Sequence, residues 1–566
     1  MSEAGALLHA ILAGHVDGET EALLHLEAAL ALEVDPLDYC ANRFGLGDVL
    51  VMERAAAWAG LAFAPKVPNT LPGSLVIERI ERLGEVRTLR AKLFEREVVY
   101  SAPRFGEFLK LRRHVELHPE FRRHFCVVPA VAIRAELAAA SEEELLDEAR
   151  QRLVRRWPRA SGSVSAPTPV RVGFAAGVTL LLLFALLAPS LSRPAFLPMV
   201  GAILVIPALL RFWAAVSRSR APPPPAMLSD AELPVYTVLV PLRDEAPMVG
   251  QLAKAMRNLD YPPEKLDVRF VVESRSAATV AAVRKELFDP RFELLVVPDA
   301  LPRTKPKALN YAMPLVSGEY IVVYDAEDIP DPGQLRLAAS TFAEQPEIDC
   351  LQAELVIDNA RESLLAALFA GEYAGQFGLM LPLLARLELP MPLGGTSNHF
   401  RIETLRRLGG WDSFNVTEDA DLGVRLARRG LKTATIESRT GEEAPLVLGS
   451  WLKQRTRWMK GWMSLSTQIN FVNVYRTLRE SAAQAFGIIA TLSQHFDGPA
   501  YDSPSLSRRE QGFDSPWARQ ILPPGESVQN MSNIGAGMRL LTRLLVSPSA
   551  RTRYRPAHRG ADAGEE

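Results

Sequence analysis

Ile321-Val-Val-Tyr-Asp-Ala-Glu-Asp328 is the stretch that decides the fold. An apolar strand runs straight into carboxylates at Asp325, Glu327 and Asp328. Asp325 and Glu327 lie two apart, so an extended backbone sends both to the same side. Carboxylates held this close repel unless a cation relieves them, and hard oxygen ligands suit Mg²⁺ or Mn²⁺. A solvated acidic turn with Asx hydrogen bonds is the plainer alternative, and it stays open at this point.

Upstream, apolar strands alternate with helical stretches. Strands are expected at Tyr236–Pro241, Val268–Val272, Phe292–Val297 and Tyr320–Tyr324. That alternation predicts an α/β fold with an open, mostly parallel sheet. Ligands in such sheets bind beyond the carboxyl ends of the strands, near the switch in strand order.

Two further clusters lie downstream. Thr417-Glu-Asp-Ala-Asp421 follows the Gly409-Gly-Trp-Asp412 turn. Thr417 can cap a helix with Glu418 and Asp419 in its first turn. Asp419 is also placed as a general base able to take a proton from an attacking hydroxyl. Gln454-Arg-Thr-Arg-Trp458 puts Gln454, Arg457 and Trp458 on one helical face. Arg457 suits a diphosphate, and Trp458 offers a flat ring for a sugar. A basic amphipathic helix lying on a membrane is the competing reading.

Together these motifs resemble the inverting family 2 glycosyltransferases, in particular the cellulose synthase-like membrane enzymes. Those enzymes carry a D-x-D metal motif, a T-E-D base motif and a Q-x-x-R-W motif in that order. This chain has Asp325-Ala-Glu327, Thr417-Glu-Asp419 and Gln454-x-x-Arg457-Trp458, over roughly two-fifths of its length. The resemblance implies a GT-A-like nucleotide-sugar-binding domain over 235–463. It implies Asp325 and Glu327 as ligands of Mg²⁺ or Mn²⁺, and Asp419 as base. Glu273, Lys305, Lys307, Glu418, Gln454, Arg457 and Trp458 are implied as donor- and acceptor-binding residues. Pro392-Leu-Gly-Gly-Thr-Ser-Asn-His-Phe400 is similar to the acceptor-side segment. Family members carry adjacent acidic residues after the second strand. Here Glu273 remains, and Arg275 and Ser276 stand at the following positions.

The flanks are of other kinds. Residues 1–160 read as a small mixed α/β domain, with helices at Ala22–Ala31 and Ser141–Val154 and strands at Glu97–Tyr100 and Val127–Ala132. More weakly, this segment resembles the N-terminal domain of type II secretion ATPases. That implies a surface for cyclic di-GMP or a partner protein. No phosphate loop is present for an ATPase. Residues 170–216 hold two apolar runs, expected as a transmembrane hairpin. Arginines 152, 155, 156, 159 and 171 precede it, Arg211, Arg218 and Arg220 flank its far end, and only Arg193 lies between the runs. The positive-inside rule then puts both soluble parts in the cytoplasm, on a bacterial inner membrane. A Pro-rich linker covers 217–234, and an atypical tail without transmembrane helices covers 464–566.

The 566 residues carry a formal net charge of −2 and three widely spaced cysteines. The balance excludes a general nucleic-acid binder, and the cysteines make neither a disulfide framework nor a zinc site. The expected activity is transfer from a nucleotide-diphosphate sugar, UDP-linked by preference, to a glycan or lipid-linked acceptor for extracellular polysaccharide. The alternative is a catalytically impaired or truncated membrane scaffold.

Overall fold

The computed structural model describes residues 2–68, 80–93, 96–163, 168–191, 193–216 and 224–468. Part of the expected linker (217–223) and nearly all of the expected tail (469–566) lie outside them.

The N-terminal segment forms a four-stranded sheet. Its strands are β1 (Ala62–Phe63), β2 (Thr88–Leu93), β3 (Arg96–Ser101) and β4 (Phe125–Val127), in the order β1-β4-β3-β2. The Glu97–Tyr100 expectation falls within β3. Val127–Ala132 does not stay extended: β4 stops at Val127, and a helix runs over Ala130–Ala140 behind Pro129. Pro129 presets the entry to that helix, and the alanine run that follows has high helix propensity.

The central sheet has eight strands in the order β7-β6-β5-β8-β11-β10-β12-β9. They are β5 (Tyr236–Leu242), β6 (Leu266–Glu273), β7 (Phe292–Val297), β8 (Tyr320–Val323), β9 (Ile329–Pro330), β10 (Ile348–Ile357), β11 (Asn398–Arg401) and β12 (Lys432–Glu442). The four expected strands are all present and mutually parallel. The second half departs from that pattern. β11 runs antiparallel to β8 and β10, so the whole sheet is mixed.

Side chains alternate between two cores, as the two-residue repeat of a strand requires. Tyr236, Val238, Val240 and Leu242 enter one cluster, and Leu239 enters the other. Helix Glu142–Arg156, hereafter the arm helix, sends Leu145, Leu146 and Ala149 into that second cluster, alongside Leu309 and Trp411.

Two 24-residue helices, Thr168–Leu191 and Arg193–Val216, occupy the expected hairpin. Leu210 and Ala214 of the second pack on Met380 and Leu383 of the central domain. Among the described residues, only the run Leu364–Arg386 is long and apolar enough to cross a membrane by length and composition, and 33% of its apolar window is buried in the fold.

Candidate functional site

The site forms where strand order switches between β5 and β8, at the carboxyl ends of β5, β6 and β8. β8 delivers Asp325. The backbone then turns at Ala326 and Glu327 instead of staying extended. The expectation that Asp325 and Glu327 share a side by strand alternation is therefore corrected. Asp328 closes the turn: its Oδ2 accepts from the Asp325 amide at 2.6 Å and from the Thr396 hydroxyl. The turn is not the solvated Asx turn that the sequence left open: Asp328 is buried, and its carboxylate bonds back to the amide three residues earlier.

The lead into β11 crosses this turn. The Ser397 amide donates to Val323 O at 2.8 Å, which sets Gly395 beside the carboxylates. A Cβ built on Gly395 would lie 3.5 Å from Asp419 Oδ2 and 3.9 Å from Asp325 Oδ2. The two carboxylates, 94 positions apart by subtraction of their numbers, converge on one spot. Lys305, first residue of helix Lys305–Ala312, pairs with Asp325 and donates to Gly395 O at 2.8 Å.

Asp419 lies in the first turn of helix Glu418–Arg428, the base helix. The expected Thr417 side-chain cap is not made; the Thr417 hydroxyl turns to Asn415 Oδ1. Burial raises the Asp419 carboxyl above its ordinary value, the Ala420 amide and Lys305 oppose the rise, and Asp325 adds to it. Burial and then Asp419 push Glu418 up to about 8. Burial lowers Lys305, but Asp325 and Glu418 outweigh it and hold the ammonium charged. Glu442, which ends β12, was not expected here. Burial, then Glu327 and Asp325, push it to about 8. Its signal in the sequence is only a strand-end Glu442-Glu443 pair.

Helix Leu448–Gln468 carries Gln454, Arg457 and Trp458. It seats on the base motif through Gly461, where a Cβ would meet Thr417 Cγ2 at 2.5 Å. Trp458 packs between Phe369, at 6.2 Å between rings, and the Ala420–Val424 face of the base helix. Gln454 Oε1 and Arg457 Nε are buried without a hydrogen-bond partner. Buried polar atoms of that kind are costly unless a ligand satisfies them.

The donor end departs from expectation. Lys307 does not line a phosphate loop. Its ammonium is 2.8 Å from Glu273, and the two side chains are 0% and 3% exposed. Arg275 is 62% exposed and lies 3.7 Å from Asp299. Of the expected donor- and acceptor-binding residues, Lys305 and Glu418 lie in the carboxylate cluster.

Comparison with known proteins shows what this region is similar to. Residues 237–389 match the family described as glycosyl transferase family 2, and residues 320–504 match the glycosyl transferase family group 2. The chain carries a family 2 glycosyltransferase domain. It is 27% identical over 238 residues to a probable glycosyltransferase, YdaM, of Bacillus subtilis, covering 41% of this chain and 56% of that protein. It is 26% identical over 239 residues to a beta-monoglucosyldiacylglycerol synthase of Nostoc, covering 40% and 49%. The chain thus spans about half the length of these curated relatives. A mannosyltransferase of Pyrobaculum calidifontis, solved with GDP-mannose and Mn²⁺, is similar at 21% identity and a TM-score of 0.41, over 53% of this chain and 79% of that one.

In the glycosyltransferase domain, no group of three His, Cys, Asp or Glu is arranged to hold a metal ion among the described residues. Asp325 and Glu327 nonetheless fit the role given to them. A Mg²⁺-like ion needs only one or two carboxylates when substrate phosphates and water complete its shell. The Lys305 ammonium pairs with Asp325, so it shares that carboxylate with any cation bound there.

Proposed function

We propose that the domain performs inverting transfer from a nucleotide-diphosphate sugar, UDP-linked by preference, to a glycan or lipid-linked acceptor. The observation that carries this reading is the convergence of Asp419 and Asp325 at Gly395, with Lys305 paired to Asp325 and bonded to Gly395 O. The acceptor hydroxyl gives its proton to an Asp419 oxygen as its own oxygen attacks the anomeric carbon. The bond to the diphosphate breaks on the opposite face, which inverts the centre. Lys305 and Arg457 supply positive charge to the departing diphosphate. Trp458, held by Phe369, the base helix and the Arg455 guanidinium 4.7 Å over its ring, braces the acceptor side. Asp325 and Glu327 would hold Mg²⁺ or Mn²⁺, which adds charge neutralisation at the diphosphate. Glu418, beside Asp419 in the same helical turn, keeps a binding role toward the acceptor.

The two apolar runs of residues 170–216 and their flanking arginines support membrane anchoring as a hairpin, with the catalytic side in the cytoplasm and the product destined for extracellular polysaccharide. The N-terminal sheet then serves as a regulatory surface for cyclic di-GMP or a partner protein. One observation favours the scaffold reading: Glu273 and Lys307 neutralise each other instead of facing a donor. Purified full-length protein with Mg²⁺ or Mn²⁺ and a panel of UDP- and GDP-sugars separates the readings. Transfer that falls by on the order of 10²-fold or more in Asp419→Asn, with donor binding kept, supports the enzyme. Absence of turnover with every donor supports the scaffold.

A further inference from the structure

The arm helix and the loop after it touch the catalytic domain at each successive turn. Ala149 O accepts from Asn310 Nδ2 at 3.1 Å and from the Ser413 hydroxyl at 2.7 Å. Leu153 lies against Gly409, where a Cβ would come within 3.4 Å of its Cδ1. Arg156 donates to Arg406 O at 3.1 Å. The Trp157 ring lies under the guanidinium of Arg429, the residue that caps the base helix at its C-terminus. Finally the Ser161 hydroxyl donates to Asp412 Oδ1 at 3.0 Å, and the Gly162 amide donates to Asp412 Oδ2 at 2.6 Å.

These contacts grip the base helix from both ends. At its far end the grip is Trp157 on Arg429. At its near end it is Asp412, which is fully buried. Asp412 Oδ1 also accepts from the Phe414 amide at 3.1 Å. The Asn415 amide donates to Asp412 O at 3.1 Å, and Asn415 Oδ1 takes the Thr417 amide at 3.1 Å. Thr417 O then accepts from Asp421, inside the helix that carries Asp419. Asn310 makes the same loop answer to the Lys305 helix, accepting from the Trp411 amide at 3.0 Å. No large side chain can replace Gly410 here, because its Cβ would collide with Asn310 Oδ1.

We propose that the arm from Ala149 to Gly162 is a clamp that sets where the base helix sits, with Asp412 as its positioning residue. The clamp rests on the reading of Asp419 as the base. A buried carboxylate with three donors is a strong and directional hold. A shift of about 1 Å at a reacting group can cost on the order of 100-fold in rate.

The test uses the full chain with Ser161→Ala, Asp412→Asn and the double variant. Ser161→Ala removes a single hydroxyl, so the fold is retained even where Asp412→Asn is damaging. Three quantities are read: amide hydrogen exchange over 412–421, donor affinity, and kcat. The clamp predicts faster exchange over 412–421 in both single variants, with the rest of the eight-stranded sheet unchanged. It predicts kcat lowered roughly 10-fold or more with donor affinity held within about 2-fold. It predicts a double variant no worse than Asp412→Asn, because both changes act on one bond. Unchanged exchange over 412–421, additive effects, or donor affinity falling in step with kcat overturns it. The exchange arm needs no turnover. If no donor is used at all, the enzyme reading fails, and the clamp is still judged by exchange.

Discussion

Lys307 and Glu273 form an ion pair at 2.8 Å with both side chains sealed from solvent. Burial lowers the lysine and raises the glutamate, each toward its neutral form, against the pull of the pair itself. Lys307 also donates to Ala300 O at 3.2 Å, which ties the loop before helix Lys305–Ala312 to the end of β6. Such a pair is expensive to break and cheap to replace.

Lys307→Met is expected to cost about 3–5 kcal/mol of stability by stranding the buried Glu273 charge. The double variant Lys307→Met with Glu273→Leu is expected to recover most of that. Denaturant unfolding measures both. Donor affinity that drops in Lys307→Met without any stability loss would contradict the pairing and restore Lys307 to the donor loop.

Gly395→Ala is expected to fold normally, since its Cβ meets Asp419 and Asp325 only at ordinary contact distances of 3.5 and 3.9 Å. It fills the gap where an acceptor hydroxyl must reach the base. Stability within about 0.5 kcal/mol of the parent and turnover reduced on the order of 10-fold or more are the expected results. Full turnover would show that the gap is not the acceptor's path.

Gly461→Ala behaves in the opposite way. The new methyl would run into Thr417, pushing helix Leu448–Gln468 off the base motif at a cost of about 1–3 kcal/mol. Gly449→Ala on the same helix meets nothing within 4 Å and is expected to be neutral or mildly stabilising. Thermal unfolding of the two variants side by side checks the contact.

His399 lies fully buried in β11. Its Nδ1 shares a 2.7 Å hydrogen bond with the Tyr236 hydroxyl, and its Nε2 faces Gln334 Oε1 at 3.3 Å. Burial lowers it from 6.5 to about 3. The unfolded chain therefore takes up a proton below about pH 6.5 that the folded chain refuses. That stability is fully present above pH 6.5 and is lost progressively as pH falls toward 3. Between pH 7.5 and pH 5 the loss from this residue is about 2 kcal/mol. His399→Gln is expected to flatten that part of the unfolding profile. An unchanged slope between pH 7.5 and 5 would place the proton uptake elsewhere.

The sequence by itself determined the parallel half of the sheet and the order of the chemical motifs. Apolar strands ending in carboxylates are local patterns, and Tyr236–Leu242 or Phe292–Val297 need no partner to be read. The helices bearing Asp419 and Arg457 were legible for the same reason. Only the tertiary structure decided how those residues meet. The turn after Asp325 depends on Thr396, 68 positions away from Asp328. The antiparallel β11 depends on a chain reversal that strand periodicity does not encode. Lys307 turns inward to Glu273 because helix Lys305–Ala312 packs on β6, and a basic run looks the same whichever way it faces. The hold of Ser161 on Asp412 spans 251 positions. A side chain's type limits which partners it can take; its choice among them is made by packing between distant segments, and that packing is absent from any local stretch.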